Sequence, residues 1–188
     1  MNRPDDLITV LAEDHRELRQ LFTELEMLSG GENLRRMLTD QLIIEMVRHS
    51  VAEEAYLYPV CRAHLTDGGW ISEEAHADHQ RIEKIMKQLE EPGLPDDHFS
   101  FLLDWLIRDA RRHMSDEEDR VFPLLVKNVS EAELVVLGEK AKRAKRMAPT
   151  RPSGAGKGMP LLHTLLESGA GLVERARAYL CGHGKAYP

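Results

Sequence analysis

Several classes of protein are excluded by what this chain has little of. Cysteine occurs twice, as Cys61 and Cys181. Two isolated thiols build no disulfide framework, so a reducing, cytoplasmic setting is the default expectation. No stretch reaches the roughly 20 apolar residues of a membrane span, so no membrane role is expected. The N-terminus carries Asp5 and Asp6 ahead of only a short apolar run, unlike a signal peptide. Positive charge is not in excess: the formal net charge is −7, which argues against general affinity for nucleic acid. Nothing matches a phosphate loop, a hydrolase elbow or a nucleotide fingerprint. Aromatic residues are scarce, at 5%.

What remains favours helix. Hydrophobic residues make up 42% of the 188 residues, enough for a core, and Leu, Ala, Glu, Arg and Met dominate. Apolar residues at Leu7, Leu11, Leu18, Leu21, Phe22 and Leu25 keep a helical period from about Asp5 to Leu28, ended by Gly30-Gly31. A second helix is expected from about Glu32 to His64, with Pro59 kinking or ending its last turns. Ser72, with Glu73 and Glu74, has the form of a cap for a third helix running to about Glu90. After Pro92-Gly93-Leu94-Pro95, a fourth starts near Asp96 or Asp97 and carries Pro123 near its end. Four helices with short connections predict an all-α, up-down-up-down four-helix bundle over residues 1–128. Ser130 and Glu133 fit a capping box for a fifth helix at 129–147. Its basic end (Lys140, Lys142, Arg143, Lys145, Arg146) has the pattern of a solvated face at a helix C-terminus. Residues 148–160 have the composition of a linker, and 161–188 suggest a C-terminal helical tail, packed on the bundle or on a second subunit; monomer and homodimer both stay open.

The bundle contains an internal repeat. His49 and Glu53 are four residues apart, as are His113 and Glu117, and the two pairs are separated by 64 residues. His15 and His79 have the same 64-residue separation, each followed by apolar residues at +3, +6, +7 and +10. The sequences after the pairs also run in parallel, Glu53-Glu54-Ala55-Tyr56-Leu57-Tyr58-Pro59 beside Glu117-Glu118-Asp119-Arg120-Val121-Phe122-Pro123. The chain is a duplicated helical hairpin, with one His on the first helix of each half and a His-Glu pair on the second. Residues i and i+4 share a helix face, so each pair aims an imidazole and a carboxylate at one point.

A lone His on an apolar helix face is ordinarily a hydrogen-bonded core residue. Four of them beside two Glu, all at matching depth, strain that reading. Buried carboxylates without a partner are very costly, and no Lys or Arg occupies a matching inward position. A metal ion supplies the missing charge. Mixed imidazole and carboxylate donors suit iron, manganese or zinc. Two ions, each held by two His and bridged by both Glu, use every group, and helix-bundle interiors are a known place for dinuclear carboxylate sites.

His15, His49-x-x-x-Glu53, His79 and His113-x-x-x-Glu117, with the shared Glu-Glu-x-x-(Leu/Val)-(Tyr/Phe)-Pro continuation, resemble the hemerythrin-like (HHE cation-binding) family over roughly residues 8–127. The resemblance implies a four-helix bundle around a non-haem di-iron centre: two iron ions with a bridging oxygen species. Carried over residue by residue, it makes His15, His49, His79 and His113 ligands and Glu53 and Glu117 bridges. One position departs from the oxygen carriers, which have a further His at i−4 from the third-helix ligand. Here that position is Ala75, and His76 lies at i−3. Tyr56, three residues after Glu53, lies on the face of the His-Glu pair and is a candidate ligand or a group that touches the ligands, as is His76. Glu54 is a candidate acceptor for the far nitrogen of a ligating His. His64, His98, His163 and His183 fall outside the repeat. The departure at Ala75 and the stress-related roles of bacterial hemerythrin-like proteins favour redox turnover of peroxide or nitric oxide, catalase- or peroxidase-like. Reversible oxygen binding, storage or sensing is the alternative, followed by iron storage or iron–sulfur cluster repair.

Overall fold

The computed structural model describes residues 5–29 and 31–148. Among these residues every regular element is helical. Helix α1 (Leu7–Met27) starts where the Asp6 carboxylate accepts from the Thr9 backbone N–H at 2.7 Å, a side-chain N-cap. Helix α2 (Glu32–Ala52) runs back and passes through a π-helical turn (Glu53–Leu57) into α3 (Tyr58–His64). Helix α4 is Gly68–Leu89. Helix α5 (Asp96–Asp116) passes through a second π-helical turn (Glu117–Val121) into α6 (Phe122–Asn128). The four arms of the bundle are therefore α1, α2–α3, α4 and α5–α6. A fifth helix, α7 (Glu131–Met147), lies across α1 and α2. The Ser130 hydroxyl accepts from the Glu133 N–H at 3.3 Å, as its spacing predicts.

Each π turn starts at the second residue of a His-Glu pair, and each is followed at once by proline. A proline ring clashes with the carbonyl four residues before it, here that of Ala55 or Asp119. Both residues lie inside the wider turn. The turn closes when the N–H of Tyr58 bonds Glu53 O, and that of Phe122 bonds Glu117 O. The i+5 residue thereby joins the glutamate's face.

Helix α4 begins one turn earlier than the Ser72 cap suggests. The Ser72 hydroxyl does not cap; it donates back to Gly68 O at 2.6 Å and lies 3.1 Å from Tyr58 O. This is the mid-helix use of serine. The 148–160 linker and the 161–188 tail lie outside the described residues, apart from Ala148, which packs beside Val51 and Ala144.

Two apolar clusters fill the bundle. One gathers Leu18, Phe22, Leu42, Met46, Ile82, Met86, Leu102 and Leu106 with their neighbours. The other gathers Leu7, Leu11, Leu57, Cys61, Ile71, Val121, Phe122 and Leu125. Between them lies a belt of buried His, Asp and Glu. Burial pushes the Cys61 thiol up to about 12, so it stays protonated. No helix of the described residues is long and apolar enough to cross a membrane.

Candidate metal centre

The six repeat residues converge. His15, His49, Glu53 and Glu117 present donor atoms within 4.8 Å of one another, and Glu53, His79 and His113 form a second such group that shares Glu53. All six are buried. The Nε2 atoms of His15 and His49 are 3.1 Å apart, and those of His79 and His113 are also 3.1 Å apart. Glu53 lies between the pairs, with Oε1 2.8 Å from His49 Nε2 and Oε2 3.1 Å from His79 Nε2. Glu117 places Oε2 3.4 Å from His15 Nε2 and Oε1 3.6 Å from His113 Nε2.

Every imidazole turns its other nitrogen to a carboxylate. His15 Nδ1 is 2.8 Å from Glu118 Oε1, and His79 Nδ1 is 3.1 Å from Glu54 Oε1. His49 Nδ1 is 3.3 Å from Asp14 Oδ2, and His113 Nδ1 is 3.6 Å from Asp78 Oδ2. These four carboxylates obey the repeat as well: Asp14 and Asp78 are 64 residues apart, as are Glu54 and Glu118. Such contacts fix which ring nitrogen carries hydrogen and leave Nε2 as the free donor.

This arrangement fits a pair of metal ions. With each Nδ1–H given to a carboxylate, two neutral imidazoles face each other through bare Nε2 lone pairs at 3.1 Å, which is repulsive unless a cation lies near both. Two nitrogens each about 2.1 Å from a common ion and at right angles to it are about 3.0 Å apart. Both Glu53 oxygens and Glu117 Oε2 are buried without a hydrogen bond of proper geometry, although buried carboxylate oxygens are nearly always engaged. In the metal-free chain protons take the ions' place. Burial opposes a charge on His49, but Glu53 and Asp14 outweigh it and raise its pKa to about 10. His113 is likewise raised well above its ordinary value, by Glu117, Asp78 and Glu53 against burial. For Glu53 burial acts upward, and the His49, His113 and His15 rings prevail and hold it well below the carboxylate range.

The tyrosine in the site is Tyr58. Its hydroxyl donates to Glu117 Oε1 at 3.0 Å and lies 3.1 Å from His79 Nε2 and 3.5 Å from His113 Nε2. Burial, with Glu117, Glu53 and Glu54, raises its pKa well above the ordinary phenol value. Tyr56, the residue singled out by ordinary helical spacing, packs half-buried against Val51, Ala144 and Ala148. The correction follows from the π turn, which puts the residue five after Glu53 on the site face. The repeat-related residue is Phe122, whose ring stacks on His15 at 5.6 Å and 16°. One half of the centre thus has a hydroxyl where the other has a bare ring.

His76 lies outside both donor groups. Its Nδ1 is 2.9 Å from Glu54 Oε1 and its Nε2 is 3.0 Å from Gln80 Nε2, so it touches the centre through Glu54. Glu54 therefore holds two imidazoles, and they pull its pKa down against burial. Ala75 is buried in the apolar cluster of Leu57, Ile71 and Phe122. On the bundle's other side the imidazoles border a cavity of about 10 Å³ lined by Leu18, Met46, Ser50, Ile82, Ala110 and Met114. Asp14, Asp78, Glu118 and Tyr58 are the site residues that sequence reasoning missed. The 64-residue spacing marks the three acids.

The model of the Hemerythrin HHE cation binding domain matches residues 6–147. An uncharacterized hemerythrin-like protein of Schizosaccharomyces pombe is 25% identical over 165 residues, 87% of this chain and 81% of that protein. A DNA nickase of a Nostoc species is 25% identical over 151 residues, but the match spans only 42% of it. Among solved structures, a hemerythrin HHE cation binding domain-containing protein from Mycobacterium kansasii superposes with a TM-score of 0.63 at 22% identity, over 91% of this chain and 98% of that one.

Proposed function

Because this chain belongs to the hemerythrin HHE cation-binding domain family, we propose that it holds two iron ions with a bridging oxygen species and turns over peroxide, with nitric oxide as a second small substrate. His15 and His49 hold one ion, His79 and His113 the other, and Glu53 and Glu117 reach both. When bound, the iron pair supplies Lewis acidity and reversible electron transfer. The chain does the rest. Asp14, Glu54, Asp78 and Glu118 fix the imidazoles. The cavity of about 10 Å³ admits a species of two heavy atoms and excludes larger ones. Its aliphatic walls keep bulk water away. Peroxide disproportionation, two H2O2 giving two H2O and one O2, balances without an outside electron donor.

The observation that carries this reading is the Tyr58 hydroxyl, 3.1 Å from His79 Nε2 and 3.0 Å from Glu117 Oε1. It is a proton-bearing group at the centre itself, able to give a proton to a departing oxygen and take one back. Reversible oxygen binding, the second reading, is favoured by the apolar cavity walls but makes no use of that proton.

The test is metal analysis and a visible spectrum of the purified protein, then an oxygen electrode with peroxide. Two irons per chain and oxygen evolution that falls at least tenfold in Tyr58→Phe are expected. A stable oxygen-dependent band that vanishes under vacuum, with no evolution from peroxide, would replace turnover by carriage. A chain with no transition metal would end both readings.

A further inference from the structure

The four carboxylates behind the imidazoles each lean on a cationic or proton-bearing side chain. Glu118 takes both guanidinium nitrogens of Arg19, at 2.7 and 2.9 Å. Glu54 takes His76. Asp78 takes Arg81 and, at 3.2 Å, Arg112. These partners all come from within the bundle. Asp14 differs, because its partner is Lys145 of α7.

The repeat explains why. Asp14 corresponds to Asp78, so its cations should come from the positions matching Arg81 and Arg112. Those positions are Glu17 and Arg48. Glu17 has the wrong sign. Arg48 directs Nη1 to Glu45, at 2.9 Å. The first half of the bundle therefore leaves Asp14 without the arginine that serves its twin. Yet Asp14 is buried, at 6% exposure, and burial alone would raise its pKa; His49 and Lys145 bring it below the ordinary value.

Helix α7 is seated to meet this need. Leu134, Gly138, Ala141 and Ala144 form its buried stripe. Gly138 lets the helix touch the start of α1. A methyl group there would overlap the Asp5 carbonyl and lie 2.7 Å from the Asp6 carbonyl carbon. Two helical turns on, Lys145 reaches Asp14 from the side, with its stem half covered. Lys142, on the same helix, pairs instead with Asp5, away from the imidazoles.

We propose that α7 is a working part of the metal centre, with Lys145 the positioning residue that holds Asp14, and through it His49, in place. This rests on the reading of the six residues as iron ligands. The fifth helix thus supplies the one charge that the duplicated hairpin lacks. Removing Lys145 leaves a buried carboxylate with His49 as its remaining partner. It then favours a protonated His49 over a ligating one.

The experiment uses the full-length chain, loaded anaerobically with ferrous iron. Ferrous affinity is measured by chelator competition, and the visible bands are recorded after oxidation. The variants are Lys145→Met, Lys145→Arg, Asp14→Asn and, as a control on helix docking, Lys142→Met. Lys145→Met should weaken binding of one of the two ions about 10-fold or more and shift the oxidised spectrum. Lys145→Arg should restore both. Lys145→Met and Asp14→Asn together should lose no more than the larger single loss, because the two act as one unit. If Lys145→Met matches Lys142→Met in affinity and spectrum, the assignment is overturned while the wild type still binds two irons. If the wild type binds none, the failure lies with the iron reading itself. Should Lys145→Met fold poorly, Asp14→Asn with unchanged affinity and bands overturns the assignment by itself.

Discussion

Removal of metal should leave a centre closed by protons, and the number of protons follows from the geometry. Each imidazole turns Nδ1 to a carboxylate, so only Nε2 is free to ligate. In the metal-free chain His49, at about 10, and His113, well above its usual value, both carry a proton on that atom at pH 8. Metal uptake must expel both, about two protons per two ions. Near pH 6, below the ordinary imidazole value, His15 and His79 are charged as well, and the count rises towards four. One proton lost per ion makes each affinity rise tenfold per pH unit, about 1.4 kcal/mol. The stability of the metal-free chain runs the opposite way. A histidine whose folded pKa is raised contributes its full stabilisation below about 6.5 and loses it as pH climbs through the folded value, about 10 for His49. The metal-free melting temperature should therefore fall between pH 6.5 and 10, while the rise in melting temperature on adding ferrous iron should grow. Calorimetric titration in phosphate and in Tris, whose ionisation heats differ widely, counts the protons. Heats independent of the buffer, with a flat metal-free stability profile, would refute the argument.

Other perturbations have defined outcomes. Gly138→Ala should destabilise the chain by about 1–3 kcal/mol in urea, because the added methyl meets the backbone of Asp5 and Asp6 rather than a yielding side chain. Ala110→Val should fill the cavity of about 10 Å³ and depress peroxide turnover several-fold, with two irons retained by metal analysis. Glu118→Gln should cut ferrous affinity about 10- to 100-fold in a chelator competition, since His15 loses a charged acceptor and Arg19 its partner.

Much of this arrangement is legible in the sequence, for an identifiable reason. A 64-residue repeat fixes depth in a bundle, so His15, His49, His79 and His113 had to lie at one level with the two glutamates. The same arithmetic marks Asp14 with Asp78 and Glu54 with Glu118. Asp14 and Asp78 go unnoticed because an acid beside a histidine on an amphipathic helix ordinarily faces solvent. The choice between Tyr56 and Tyr58 is beyond helical periodicity, because one wide turn changes the count from four to five. Lys145 sits in a basic run that has the pattern of a solvated face, and only the docking of α7 turns it inward. The start of α4 escapes because Ser72 back-bonds instead of capping.

The wide turn at Glu53 has a consequence for how this protein tolerates change. It amounts to a single surplus residue in an otherwise regular helix, and taking it out would rotate everything downstream by about 100°. Deleting Ala55 would therefore swing the Tyr58 phenol out of the centre while altering none of the residues that face the iron. Length is here a determinant of chemistry in its own right: a one-codon deletion far from any catalytic triplet would silence the reactive hydroxyl as surely as mutating it.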